Sequence, residues 1–428
     1  MTLKNNLDDE AQSEAELSER WAKLMRVPRG PRARIGASVV KVLFETMTKD
    51  LPLRVEYDDS TVLGAEGVSA PRMLIHRRED FFRRVADRGL IGFGEAYMAG
   101  DWSSPELSAV LTVLASRIGT AVPSALQGLR HLWLPRIPRR HRGDRAGARS
   151  NISHHYDLSN DFFALFLDRT LTYSCATFAE LDPPPQFVDL ATAQQRKIDR
   201  LLDGAGVGAG TRLLEIGTGW GELAIRAAQR GALVHTVTLS REQQQLAQER
   251  IRDAGLADRI TVQLCDYRDV EGRFDAIVSV EMIEAVGYRY LPTYLRTLDA
   301  LLNEGGRIGL QVITMPHDRM TASLGTYTWI HKYIFPGGFL PSLTLIDETL
   351  AKDTALHIAD TASFGPHYAH TLRLWLQRFT TNSADADALG FDRIFRRMWR
   401  FYLAYSEAGF ASGYLDLYQL VLTRTARP

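Results

Sequence analysis

The segment Leu213-Leu214-Glu215-Ile216-Gly217-Thr218-Gly219-Trp220-Gly221 is a short apolar strand running into a glycine turn that can open a helix at Glu222. Glycines permit positive φ and close backbone approach, and a helix N-terminus offers free N–H groups to a polar ligand. The spacing is G-x-G-x-G rather than the G-x-G-x-x-G of dinucleotide folds, and Glu215 precedes the first glycine. Both details favour S-adenosylmethionine over NAD; the plain alternative is a strand-to-helix turn with no ligand. About 20 residues past the glycines, where a dinucleotide enzyme carries an acid for the ribose hydroxyls, this chain reads Thr238-Leu239-Ser240, with Gln243 as the nearby amide. An amide serves two hydroxyls adequately, and the alternative is a surface residue of a first helical turn. Asp266-Tyr267 can accept from an adenine amino group and stack on its ring, or can be a loop Asp and a packing Tyr.

The elements that must position these groups follow a regular order from Lys197: a helix through Leu201, strand Arg212–Ile216, helix 222–230, strand Leu233–Leu239, helix 241–253, strand Ile260–Cys265, strand Phe274–Val280, a helix near 291–302 and strand Gly306–Ile313. This alternation predicts a largely parallel, doubly wound α/β sheet, whose ligands sit outside the carboxyl ends of the strands. The positions to inspect are Glu215–Gly221, Thr238–Gln243, Cys265–Tyr267 and Glu281–Glu284.

With 428 residues the chain is long for one core and comfortable for two domains. Lys+Arg and Asp+Glu both number 51, so no overall field gathers nucleic acid, and none is expected as a partner. Hydrophobic content of 45% with 24% charged residues suits a globular protein with a large core. Cys175 and Cys265 lie far apart with no C-x-x-C partner, so neither a disulfide framework nor a metal site is expected, and a reducing cytoplasm fits. Met1–Arg20 is polar and acid-rich, unlike a signal peptide, and Leu107–Val122 is broken by Ser116 and Arg117, short of a bilayer span.

Residues from about Ala37 to Trp102 carry strand-like runs such as Leu53–Tyr57 and then the glycine-rich patch Gly89–Met98, the pattern of a small α+β domain. Helical periodicity from Leu107 to Leu132 leads into a basic, proline-broken stretch with Trp133, Arg136, Pro138, Arg139, Arg140, Arg142, Arg145 and Arg149. The expected division is residues 1–125 as an N-terminal α+β lipid-associated domain, 126–149 as a basic linker and 150–428 as the ligand-binding domain. Arginines beside Trp133 and Leu134 suit an anionic lipid surface; a solvated linker is the alternative.

Several motifs in order then make the chain recognisable. The run His154-His155-Tyr156-Asp157-Leu158-Ser159-Asn160-Asp161-Phe162-Phe163, then Leu171-Thr172-Tyr173-Ser174-Cys175-Ala176, the glycine loop, Gln263–Asp269 and Lys332-Tyr333-Ile334-Phe335-Pro336-Gly337-Gly338 resemble the cyclopropane-fatty-acyl-phospholipid synthase family. The likeness covers roughly Ser150 to the C-terminus, and Gly89–Trp102 looks like that family's N-terminal domain. The resemblance implies a Rossmann-like methyltransferase sheet. It also implies transfer of the activated methyl of S-adenosylmethionine to a cis double bond in an acyl chain of a membrane phospholipid, from a cytoplasmic protein peripheral to the inner membrane face. Tyr173, Ser174, Glu215, Gly217, Gly219, Gly221, Thr238, Leu239, Gln243, Asp266 and Tyr267 are the candidate cofactor-binding residues.

An alkene is a feeble nucleophile, so such an enzyme must hold it close to and aligned with the methyl group. Methylation leaves a carbocation that aromatic faces stabilise, for which Trp329, Tyr333, Phe335, Tyr368 and Trp375 are candidates, with core packing as the alternative. The cation must then lose a proton to a base shielded from water. In this family the base resembles a bound bicarbonate ion, and by motif Cys175, Glu284 and Tyr368 fall on the ion-binding positions, with Gln311 beside them. Without the family Cys175 reads as a small core thiol. Many bacterial members carry His where this chain has Ala285 and Gln311; the combination found here is similar to plant-type cyclopropane synthases and to enzymes making methyl-branched acids.

Loss of a proton from the new methyl closes a cyclopropane ring, the expected product. Loss after a hydride shift gives a methylene branch, which a separate reductase would convert to a methyl branch. Two further readings are a methyltransferase for another lipid or small hydrophobic acceptor and a catalytically silent lipid- or cofactor-binding protein. The sequence is silent on oligomeric state, and a homo-oligomer is compatible with it.

Overall fold

The computed structural model describes residues 21–65, 70–118 and 158–424. The basic segment from Trp133 to Arg149, the run His154–Asp157 and the polar N-terminus lie outside them. The chain divides into two compact units: one holds residues up to Val110 together with Asp392–Phe401, the other Leu111–Phe391 and Tyr402–Pro428. Among the described residues no helix is long and apolar enough to cross a membrane, and no group of three or more His, Cys, Asp or Glu side chains converges as a metal site. Both cysteines are free thiols.

In the first unit, strands β1 (Arg54–Tyr57), β2 (Val62–Gly64), β3 (Arg72–Ile75) and β4 (Trp102–Ser103) form one sheet in the order β2-β1-β3-β4. Alternation in β1 and β3 buries Val55, Tyr57, Met73 and Ile75. Helices Pro31–Lys49, Arg78–Arg88 and Leu90–Ala99 belong to the same unit. The glycine-rich patch is helical from Leu90. It is buried almost all round, and at Gly92 an added Cβ would lie 1.9 Å from the Arg84 carbonyl oxygen, so only glycine permits the approach. Buried Asp101 holds Arg77 and Arg84, each at 2.8 Å.

The second unit is built on seven strands: β5 (Arg212–Ile216), β6 (Leu233–Thr238), β7 (Ile260–Leu264), β8 (Phe274–Val280), β9 (Leu302–Thr314), β10 (Leu356–Ser363) and β11 (Asp416–Arg424). Their order is β10-β11-β9-β8-β5-β6-β7. Pairings from β9 through β7 are parallel, as expected, while β11 is antiparallel to both β9 and β10. β5 and β8 are neighbours, with the chain winding outward to β7 before returning, so the switch point lies at their carboxyl ends. The strand runs are nearly continuous in apolar residues because both faces are covered. Leu214, Ile216 and Ile277 join the helix Leu291–Leu301 on one side. Leu213, Ala276 and Val278 join Ile198, Leu201 and Leu202 of the helix Phe187–Gly204 on the other.

Candidate active site

β5 ends in three glycines that all adopt positive φ: Gly217 at 104°, Gly219 at 51° and Gly221 at 88°. Gly221 caps the helix Glu222–Gln229, and a Cβ there would sit 3.2 Å from the Ala247 Cβ. The loop is tied from both sides. The Gly217 and Thr218 N–H groups donate to the Val237 carbonyl at 3.0 and 3.2 Å. Trp220 Nε1 donates to Asn160 Oδ1 at 2.8 Å, and Arg250 donates to the Trp220 carbonyl at 2.7 Å and to Glu222 at 2.9 Å.

Glu215 lies beneath this turn, buried, with Oε2 lacking any hydrogen-bond partner. Burial pushes its carboxyl up to about 8. An orphaned carboxylate oxygen below glycine amides fits a ligand that brings its own cationic or N–H donor, as the methionyl end of S-adenosylmethionine does. At the end of β6, Thr238 Oγ1 donates to Gln243 Oε1 at 3.0 Å, and Ser240 caps the helix Arg241–Asp253. Gln243 is thus buried and oriented rather than a loose surface amide. Leu239 sits between them, half-buried. Asp266 accepts from Arg268 Nε at 2.8 Å and Nη2 at 2.6 Å, so an adenine amino group would share an ion-paired carboxylate. Tyr267 is half-buried, edge-on to Tyr294 with ring centres 5.3 Å apart.

At the end of β8 the expected catalytic residues meet around a different side chain. Glu281 Oε1 accepts from the Cys175 N–H at 2.9 Å and from Gln311 Nε2 at 2.8 Å, while Oε2 accepts from the Tyr368 hydroxyl at 2.5 Å. Its backbone takes φ 49°, a left-handed conformation uncommon for a side-chain-bearing residue. Gln311 is itself fixed: its Nε2 reaches the Cys175 carbonyl at 3.3 Å and its Oε1 accepts from Gln419 Nε2 at 3.0 Å. Glu284, one helical turn beyond Glu281, accepts from the Ile313 N–H at 2.6 Å and keeps Oε2 buried without a partner. Cys175, Gln311 and Tyr368 therefore converge on Glu281, and Glu284 stands beside them with its own backbone partner.

Burial raises Glu281 above the usual carboxylate range despite its three donors, and burial together with Glu281 pushes Glu284 up to about 8. The Cys175 thiol is fully buried and raised well above its ordinary value, which leaves it neutral and unsuited to nucleophilic attack. Sequence reasoning had placed Glu281 at a strand end but assigned it no role; it also missed Lys197. That lysine is buried on the apolar face of its helix, donates to Ser174 Oγ at 2.7 Å, and is brought down to about 8 by burial. A lysine at helical spacing from Ala193 and Leu201 was the available signal.

Aromatic rings line this side of the unit. Tyr368 stacks on Phe410 at 4.5 Å and meets the Trp375 edge at 6.3 Å. Trp375 lies 5.3 Å from Tyr173, whose hydroxyl is 2.7 Å from that of Tyr402, and Tyr402 reaches Phe335 at 5.7 Å. Trp329 and Tyr333 pair with each other at 5.4 Å, with Tyr405 alongside Trp329. Phe335, Tyr368 and Trp375 of the expected aromatic set belong to one connected wall.

Comparison with known proteins supplies the family. Residues 144–420 match the family described as mycolic acid cyclopropane synthetase. Tuberculostearic acid methyltransferase UfaA1 of Mycobacterium tuberculosis is 54% identical over 413 residues, covering 96% of this chain and 97% of that protein. Cyclopropane-fatty-acyl-phospholipid synthase of Escherichia coli is 34% identical over 358 residues, covering 83% and 89%. Among solved structures, the mycolic acid cyclopropane synthase CmaA1 complexed with SAH and CTAB superposes with a TM-score of 0.58 at 32% identity, covering 64% of this chain and 97% of that one. Together with the glycine loop and the buried carboxylates, these matches assign the chain to the mycolic acid cyclopropane synthetase family of S-adenosylmethionine-dependent methyltransferases.

Proposed function

We propose that this protein methylates a cis double bond in an unsaturated acyl chain of a phospholipid, with the Glu281 carboxylate as the proton acceptor. The observation that carries this is the convergence of Cys175 N–H, Gln311 and Tyr368 on Glu281. When bound, S-adenosylmethionine supplies the activated methyl group. The glycine loop, Glu215 and Gln243 hold and orient it, and the wall of Tyr368, Trp375 and Tyr173 faces stabilises positive charge on the methylated acyl chain. Glu281, raised by desolvation yet held by three donors, is a base fixed in position. The donors expected to bind bicarbonate are thus engaged by an internal carboxylate, and the ion has a protein-borne equivalent.

A methylene-branched product, which a separate reductase would reduce to a methyl branch, is the reading we favour over ring closure. The relative that matches along nearly the whole chain at 54% identity is named for tuberculostearic acid, whereas the match to the cyclopropane synthase is 34%. The deciding experiment incubates the purified protein with S-adenosylmethionine and vesicles of an oleoyl phospholipid, then analyses the released acyl chains by mass spectrometry and proton NMR. A chain one CH₂ heavier with olefinic methylene protons supports the branching reading. Upfield cyclopropane protons make it a ring-forming synthase, and an unchanged mass with bound cofactor points to another acceptor.

A further inference from the structure

The helix Pro31–Lys49 of the first unit leaves an apolar face uncovered. Ile35, Val39, Val42 and Leu43 fall at i, i+4, i+7 and i+8, one stripe of an α-helix, and are 68%, 55%, 63% and 61% exposed. The opposite face already packs the helix onto its own unit. Phe44 meets Phe81 and Phe82 with ring centres 5.6 and 5.8 Å apart, Gly36 lies against Ala86, and Thr48 is fully buried. The stripe is therefore in excess of what the fold needs, and contiguous exposed apolar surface of this kind marks a contact site.

Charge selects the partner. Between residues 23 and 49 stand Lys23, Arg26, Arg29, Arg32, Arg34, Lys41 and Lys49, against the single acid Glu45. Glu45 is already held by Arg78 at 2.8 Å. Arg32 and Lys49 bracket the stripe at its two ends, and Arg34 and Lys41, seven residues apart, run along one flank. An aliphatic stripe edged by long basic side chains is the pattern of a helix lying in a membrane interface, its apolar face in the acyl boundary and its cations among anionic headgroups.

We propose that this helix docks the protein on an anionic phospholipid surface. The assignment rests on the acyl-phospholipid reading above for its purpose, though not for its geometry. It differs from the membrane contact expected from the sequence, which fell on the Trp133–Arg149 segment.

The test uses the full chain in co-sedimentation with vesicles of dioleoyl phosphatidylglycerol and, separately, dioleoyl phosphatidylcholine. Both substituted positions of the variant V39D/V42D are exposed, so its thermal unfolding should match the wild type. Its binding to either vesicle should weaken at least about tenfold. The variant R34E/K41E should lose at least about tenfold on phosphatidylglycerol and little on phosphatidylcholine. Turnover of oleoyl lipid dispersed in detergent should be unchanged in both. Wild-type sedimentation of V39D/V42D overturns the proposal. So does a shift of that variant to a smaller species in ultracentrifugation with vesicle binding intact, which would make the face a contact between copies. If the wild type methylates no acyl lipid in any form while V39D/V42D still loses vesicle binding, the docking helix stands and the acyl-chain reading falls.

Discussion

Replacing Glu281 by glycine separates a protein-borne base from a bound ion. The substitution leaves the Cys175 N–H, Gln311 Nε2 and Tyr368 hydroxyl facing a space formerly filled by a carboxylate that they held at 2.9, 2.8 and 2.5 Å. Three convergent donors suit a bicarbonate ion. The backbone does not suffer, because φ 49° is left-handed and glycine relieves roughly 1 kcal/mol of strain there. Removing a positioned base should lower turnover by about 10²–10⁴-fold while cofactor affinity stays near normal. Turnover is followed as transfer of labelled methyl into detergent-dispersed oleoyl phospholipid in carbon-dioxide-free buffer, and affinity by calorimetry. Added bicarbonate should restore at least about tenfold of the lost rate to Glu281→Gly. It should restore none to Glu281→Gln, whose amide still fills the cradle. Turnover of either variant within about threefold of the wild type would remove Glu281 from the chemistry. A wild type that itself depends on added bicarbonate would return the role to the ion.

Glu284→Gln keeps an acceptor for the Ile313 N–H and should still lower turnover at least about tenfold with cofactor affinity unchanged; retained turnover withdraws Glu284 from the reaction. The same variant carries a stability signature. With its folded value near 8 against an ordinary 4.5, the Glu284 carboxyl contributes stability that is intact below about pH 4.5 and is lost as pH rises through about 8. Urea midpoints should therefore move in favour of Glu284→Gln as pH is raised from about 5 to about 9, and a pH-independent difference would contradict the raised value. Tyr368→Phe removes the 2.5 Å donor to Glu281 but keeps the ring on Phe410, so kcat should fall about tenfold or more with little change in KM, read by steady-state kinetics. In the N-terminal unit, Gly92→Ala drives a Cβ to 1.9 Å from backbone oxygen, and thermal unfolding should show destabilisation of about 1–3 kcal/mol.

Much of the α/β unit was legible because its signals are local. Apolar runs such as Leu213–Ile216 and Ala276–Val280, each ending in glycine or polar residues, mark parallel strands, although β9 begins at Leu302, four residues before the expected Gly306. The glycine spacing with Glu215 points to the cofactor class, and motif order points to the family. Other features depend on partners remote in sequence. The antiparallel β10 and β11 complete the sheet at one edge, and Leu356–Ser363 carries too little alternation to declare itself. The discontinuous first unit takes in Asp392–Phe401, which no linear division of the chain expresses. The glycine-rich patch became a helix because tertiary packing of Gly92 against Arg84 outweighs glycine's weak helical preference.

At the site the division is sharper. Resemblance to the family, carried by motifs in the sequence, grouped Cys175, Glu284, Gln311 and Tyr368 as one expected ion-binding neighbourhood. The fold alone decided that the donors of Cys175, Gln311 and Tyr368 turn to Glu281, because that depends on a left-handed residue at the end of β8 and on groups up to 106 positions apart, the Cys175 N–H and the Glu281 carboxylate, meeting within hydrogen-bond distance. Sequence fixes which groups a chain carries and their local conformational preferences; the direction in which a buried carboxylate points is set only when the surrounding elements have packed and left it one set of donors.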